Sequence, residues 1–125
     1  MATIEEHDPW MLEIRLFRLK PGTGAEFYRV ADEGTVPLMR KWGIHVLGHW
    51  LSSTDEDSFF LVRAFRDAED RRVVSEAFYA SEEWLAFEDT VMGMVENYHA
   101  VTSTISREKL GRLGQLTGGP SVVPA

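Results

Sequence analysis

The stretch that decides the fold is Ile44-His45-Val46-Leu47-Gly48-His49-Trp50-Leu51, followed by Ser52 to Ser58 and then Phe59-Phe60-Leu61-Val62-Arg63-Ala64-Phe65. Both runs are rich in β-branched, aromatic and aliphatic residues, and the polar segment between them contains Asp55-Glu56-Asp57. This pattern reads as strand, turn, strand. The hairpin carries two of the four histidines and an arginine set inside an apolar run. Its polar groups are therefore the first candidates to line a small-molecule site.

On the N-terminal side, Trp10 to Leu19 reads as a first strand. Leu12, Ile14 and Leu16 point one way, and Glu13, Arg15 and Phe17 the other. Lys20-Pro21-Gly22 ends it. Thr23-Gly24-Ala25-Glu26 fits a capping box for a helix in which Phe27, Ala31, Leu38 and Trp42 fall near one stripe. Gly34 and Pro37 predict a break between Glu33 and Pro37, and Gly43 is placed to close the helix. On the C-terminal side, Asp67 and Ser81 read as N-caps of two further helices, and Tyr98 to Ile105 as the last strand.

The order β-α-β-β-α-α-β predicts an α+β fold: a ferredoxin-like βαββααβ arrangement with a four-stranded antiparallel sheet and helices on one face. Several strands are apolar on both faces, and the helices cover only one. The economical cover for the other is an identical sheet, which makes the expected assembly a homodimeric α/β barrel. Residues 1–9 read as a leader, 10–105 as the domain and 106–125 as a tail rich in Gly and Pro, in which Arg107 to Leu116 is long enough for a short helix.

A chain of 125 residues suffices for one domain with a real core. Its net charge of -7, with basic residues clustered no further than pairs such as Arg40-Lys41 and Arg71-Arg72, argues against nucleic acid as a partner. The absence of cysteine excludes disulfides, thiolate metal sites and a thiol nucleophile, and is compatible with the reducing cytoplasm, the expected location. No apolar run approaches the ~18 residues of a membrane helix, so no membrane partner is expected. Met1 to Asp8 lacks the basic start and apolar core of a signal peptide.

Three blocks resemble the NIPSNAP family. Leu12-Glu13-Ile14-Arg15-Leu16-Phe17-Arg18-Leu19-Lys20-Pro21-Gly22 is similar to its opening strand and turn. Pro37-Leu38-Met39-Arg40-Lys41-Trp42-Gly43 with Gly48-x-Trp50 is similar to the next block, and Arg71 with Phe78-Tyr79-Ala80-Ser81-Glu82-Glu83-Trp84 to the third. The resemblance spans roughly residues 11–105 and implies a dimeric α+β barrel. The wider superfamily includes cofactor-independent monooxygenases, isomerases, cyclases and haem-degrading enzymes, together with members of no known activity. The chain departs from the family pattern at the acidic Asp55-Glu56-Asp57 turn and at Arg63, where an asparagine and an aromatic are usual.

The candidate site residues follow from chemistry. His45 and His49 stand four apart, which on a strand separates their Cα atoms by ~13 Å, too far for one metal ion. Regular alternation puts both on one face, where they either line a cavity or are hydrogen-bonded at a dimer seam. His99, in the last strand, either shuttles protons or is structural. The resemblance alone would raise haem ligation, which no flanking sequence supports, so no cofactor is expected. Arg63 among Phe59, Leu61 and Phe65 is costly to bury without a carboxylate. Either Glu13 or a helix carboxylate neutralises it, or it awaits an anionic ligand. A turn confined to Thr54–Asp57 would put His49 opposite Val62 and Arg63 on the other face; one residue more or less would reverse this. Glu13 and Arg15 share a face and form either a charge network or part of a site. Tyr28 and Trp50 are further ligand-binding candidates, weighed against backbone bonding for the tyrosine and core packing for the tryptophan. No phosphate loop or nucleophile elbow is present.

Two functions remain open. One is a dimeric barrel binding a small, partly apolar, anionic or carbonyl-bearing molecule between sheet and helices, with cofactor-free proton transfer or oxygenation by His45, His49 or His99 together with Arg63. The other is a non-catalytic homodimeric interaction module.

Overall fold

A computed structural model describes residues 9–116. Of the expected leader, residues 1–9, all but Pro9 lie outside the described residues, as does the end of the expected tail, 117–125. The elements are β1 (Trp10–Leu19), α1 (Gly24–Val30), a π-helical turn (Ala31–Thr35), α2 (Val36–Lys41), β2 (His45–Leu51), β3 (Ser58–Phe65), α3 (Ala68–Tyr79), α4 (Glu82–Gly93), β4 (Val95–Ile105) and α5 (Arg107–Leu116). The four strands form one antiparallel sheet in the order β2-β3-β1-β4. This is the ferredoxin-like arrangement that the order of elements predicts.

The helices end where local chemistry says they should, with one exception. Asp67 accepts a hydrogen bond from Asp70 N–H, and Ser81 from Trp84 N–H. Gly43, at φ +86°, follows the cap of α2 in the left-handed region that a residue with a Cβ avoids. The exception is the capping box at Thr23. Its hydroxyl donates to Lys20 O at 2.7 Å, and Glu26 is drawn to Arg29. The orphan amides at the start of α1 go instead to the hairpin turn: Asp57 accepts from Gly22 N–H and Gly24 N–H at 3.1 and 3.0 Å. A distant carboxylate, invisible to a local motif, displaced the local one.

The break expected between Glu33 and Pro37 is the π turn. Val36 N–H donates to Ala31 O, five residues back, which widens the helix just where Pro37 has no amide to donate. Gly34 lies there because a Cβ would come within 2.8 Å of the Phe87 ring on α4.

Strand alternation leaves open which face of β1 the helices take, and the structure decides it. The mixed face of β1, with Glu13, Arg15, Phe17 and Leu19, lies under α1–α4 in the main core with Phe27, Val36, Phe59, Phe78 and Trp84. The uniformly apolar face, Leu12, Ile14 and Leu16, turns away from those helices. α5 covers one end of it, where Leu110 packs with Trp10, Leu47 and Ala64. Beyond α5 the face is open: Ile14 is 40% exposed, Leu16 43%, Trp50 40% and Val101 50%.

Register in the hairpin is set by two irregularities. The connection closes at Ser52 and Ser58, longer than a turn confined to Thr54–Asp57, so His49 pairs with Leu61 and shares the face of Arg63. A bulge at Leu47 then breaks the alternation, since Val46 pairs with Arg63 but Gly48 with Val62. His45 therefore lies opposite Ala64 on the far face, and the expectation that His45 and His49 share a face fails for that reason.

Candidate functional site

Between the helical side of the sheet and helices α1–α4 lies a cavity of about 550 Å³. Its floor comes from β1, β3 and β4, including Arg15, Phe17, Phe59 and Tyr98, and its walls from α2, α3 and α4. The lining is mostly apolar and aromatic, with a cationic end at Arg15 and Arg71 and three further charged residues, Arg72, Glu76 and Glu88.

That cationic end is built on Glu13. β1 pairs Glu13 with Arg63 of β3, side by side on the helical face. Both side chains are fully enclosed, at 0% exposure. Arg63 Nε donates to Glu13 Oε1 at 2.7 Å, and Arg15 Nε donates to the same oxygen at 2.9 Å. Arg71 Nε, from α3, donates to Glu13 Oε2 at 2.7 Å. The sequence alternatives for Arg63 resolve to the pair with Glu13, and the expected Glu13–Arg15 network is present.

Three guanidiniums converge on one carboxylate, leaving a formal surplus of two positive charges. Burial pushes the Glu13 carboxyl upward, but the hydrogen bond and charge of Arg63, then Arg15, overcome it and hold the pKa at about 2. Burial would likewise lower the Arg63 pKa; Tyr79 and Glu13 outweigh it and raise it. Arg63 is walled off, whereas Arg15 and Arg71 line the cavity. Arg15 also lies over the Tyr98 ring, 5.4 Å from its centre, a cation–π contact on the cavity floor. Arg72, at the cavity edge, is paired with Glu69 and Glu76 and adds little free charge.

α3 supplies more than Arg71. Arg71, Ser75 and Tyr79 recur at four-residue spacing and all line the cavity. Arg63 Nη1 donates to the Tyr79 hydroxyl at 3.2 Å, while Ser75 Oγ is buried without a partner among the described residues. Sequence reasoning placed Tyr79 only within the family-like block Phe78 to Trp84 and missed Ser75. A row of polar residues one helical turn apart, on a helix whose apolar residues flank it, is the signal that could have found them.

The remaining candidates do not meet at this cavity. His45 packs edge-on to Trp10 at 5.6 Å on the far face, where burial lowers its pKa against the pull of Asp70. His99 pairs with Leu16 on that same far face and is exposed. His49 is on the helical face but outside the cavity lining: its Nε2 is 2.9 Å from Asp32 Oδ1, and its ring stacks on Tyr28 at 5.5 Å. Trp50 lies on the open face, over Gly48, where a Cβ would come within 2.5 Å of its ring. Of the sequence candidates, the structure brings together Glu13, Arg15 and Arg63, and separates all three histidines from them. Among the described residues, no cluster of His, Asp and Glu is arranged to hold a metal, and no helix is long and apolar enough to cross a membrane.

The fold is shared with solved structures. A NIPSNAP family protein of unknown function from Agrobacterium tumefaciens superposes with a TM-score of 0.74 at 20% identity, covering 80% of this chain and 91% of that one. An uncharacterized NIPSNAP domain protein from Burkholderia xenovorans gives 0.68 at 20% identity, over 74% and 91%. A Nitrosomonas europaea protein whose name proposes an antibiotic biosynthesis monooxygenase gives 0.58 at 19% identity, over 74% and 95%. No curated protein matches the sequence. The NIPSNAP family model matches residues 12–106, the same span that holds the sheet, the helices and the arginine-lined cavity, and the chain belongs to the NIPSNAP family.

Proposed function

We propose that this NIPSNAP domain binds a small, partly apolar anion in the cavity between sheet and helices, with the anionic group on Arg15 and Arg71 and the apolar body against Phe17, Phe59 and Trp84. The observation that carries this is the imbalance of charge at Glu13. One carboxylate suffices to hold Arg63, yet two more guanidiniums are drawn to it at the wall of an apolar cavity. Such a surplus is satisfied when an anion arrives, and a cavity of about 550 Å³ suits a ligand of modest size. If chemistry follows, the same guanidiniums would stabilise an enolate or enolate-like oxyanion without a cofactor. Oxygenation or isomerisation of a bound carbonyl compound would have this form.

The domain would act as a homodimer. Ile14, Leu16, Trp50 and Val101 make an apolar stripe on the sheet face that the helices leave open, and a second copy of the same face is its natural cover. That stripe is also the specific support for the alternative, a non-catalytic homodimeric module. The two are separated by titrating phenylbutyrate and its neutral amide into the protein by calorimetry. The anion site predicts binding of the acid, weak or no binding of the amide, and loss of acid binding in Arg71→Gln with the melting temperature little changed. A cavity that takes acid and amide equally, or neither, leaves the interaction module as the better account.

A further inference from the structure

We infer that the ligand is a keto acid, or another anion with a second oxygen acceptor about one helical turn from its carboxylate, and that Tyr79 and Ser75 recognise that second oxygen; this rests on the anion site proposed above. The inference comes from what the Tyr79 hydroxyl is doing. A guanidinium only donates hydrogen bonds, so in the 3.2 Å contact with Arg63 Nη1 the phenolic oxygen must be the acceptor. Its own proton therefore points elsewhere, and no acceptor for it stands among the described residues. Tyr79 lines the cavity. Its hydroxyl proton is thus available to an acceptor other than Arg63.

Ser75 repeats the pattern one turn earlier. Its Oγ is buried, lines the same cavity and has no partner among the described residues. A buried hydroxyl left unpaired costs about 1–3 kcal/mol, so a native structure seldom keeps one such group in a cavity without a use for it. With Arg71 they make a row along α3, a cation followed by two neutral donors, each separated from the next by about 6 Å of rise. A cation takes a carboxylate; neutral hydroxyl donors take a carbonyl or enol oxygen. The row therefore reads two different oxygens of one molecule in a fixed order, with the carboxylate toward Arg71 and the carbonyl one turn on, at the level of Ser75 and between it and Tyr79. The aromatic rings of Phe17, Phe59 and Trp84 accept the rest.

The test uses a matched pair of acids, phenylbutyrate and benzoylpropionate. They share chain length, phenyl group and charge, but the second carries a ketone beside the ring, roughly one helical turn from its carboxylate. Affinities are measured by calorimetry for the full chain, for Tyr79→Phe and for Ser75→Ala. The wild type is expected to prefer the keto acid by about fivefold to tenfold, the factor equivalent to one hydrogen bond of about 1 kcal/mol. Tyr79→Phe removes only the hydroxyl and is expected to erase most of that preference, lowering benzoylpropionate affinity more than phenylbutyrate affinity. A purely structural role for Tyr79 would move both acids together, and that outcome overturns the inference. So does equal binding of the two acids by the wild type, which leaves the anion site standing. Binding of neither acid removes the anion site and this inference with it. If Tyr79→Phe is poorly folded, Ser75→Ala gives the same comparison at the neighbouring donor.

Discussion

Replacing Glu13 with Gln keeps the shape of the side chain and removes its charge, leaving Arg63 fully enclosed with no counter-ion and Arg15 and Arg71 facing the same neutral amide. The cost follows from the proton. A carboxyl held at about 2 against an ordinary 4.5 is favoured as the anion by about 3 kcal/mol, at about 1.4 kcal/mol per pH unit. Removing one partner of a buried ion pair costs about 3–5 kcal/mol by the independent route of unpaired-charge burial, so the two agree. Against a total stability of about 5–15 kcal/mol the loss is large but measurable. The pH dependence has a definite sign. Because the folded pKa is depressed, this stabilisation is fully present above the unfolded value of 4.5 and disappears as pH falls toward 2. Once protonated, Glu13 presents nearly the same neutral group as the amide that replaces it, so the difference between wild type and Glu13→Gln should shrink on acidification. Urea unfolding followed by tryptophan fluorescence is expected to give a difference of about 3 kcal/mol near pH 6, falling to about half of that near pH 3. A difference below about 1 kcal/mol, or one that does not change over that pH range, would refute the claim that Glu13 is the ionised centre of the cluster.

Two further outcomes bear on other parts of the structure. Leu16→Lys places a charge in the middle of the open apolar face; light scattering coupled to gel filtration should give a dimer for the wild type and a monomer for the variant, and a wild type that is already monomeric would refute the homodimer. Glycine substitutions should differ in sign. Gly24→Ala puts a Cβ 1.7 Å from the Glu56 carbonyl oxygen and should destabilise the fold by at least about 1–3 kcal/mol, whereas at Gly111, in α5, a Cβ meets nothing within 4 Å and Ala should stabilise by about 0.5–1 kcal/mol in urea unfolding.

What the amino-acid sequence determined by itself was the set of elements and their order. Strand alternation, the caps at Asp67 and Ser81, the closing Gly43 and the helix break before Pro37 are local effects, set by φ, by a missing amide or by a side chain three residues from its partner, and these appear in the structure as the local chemistry demands. The neighbourhood of Glu13 and Arg15 is equally local, since residues two apart on a strand must share a face. What only the tertiary structure decided was which face that would be, and what else would reach it. Alternation alone left either side of β1 free to take the helices; they cover the side with the charges, because α1–α4 bring the apolar bulk and Arg71 supplies a third cation from fifty-eight residues away. Likewise one bulged residue, Leu47, sent His45 and His49 to opposite faces, and a connection that closes only at Ser58 put His49 on the face of Arg63. Register and coverage depend on contacts between residues far apart in the chain, whose free energies are settled only when the whole core closes.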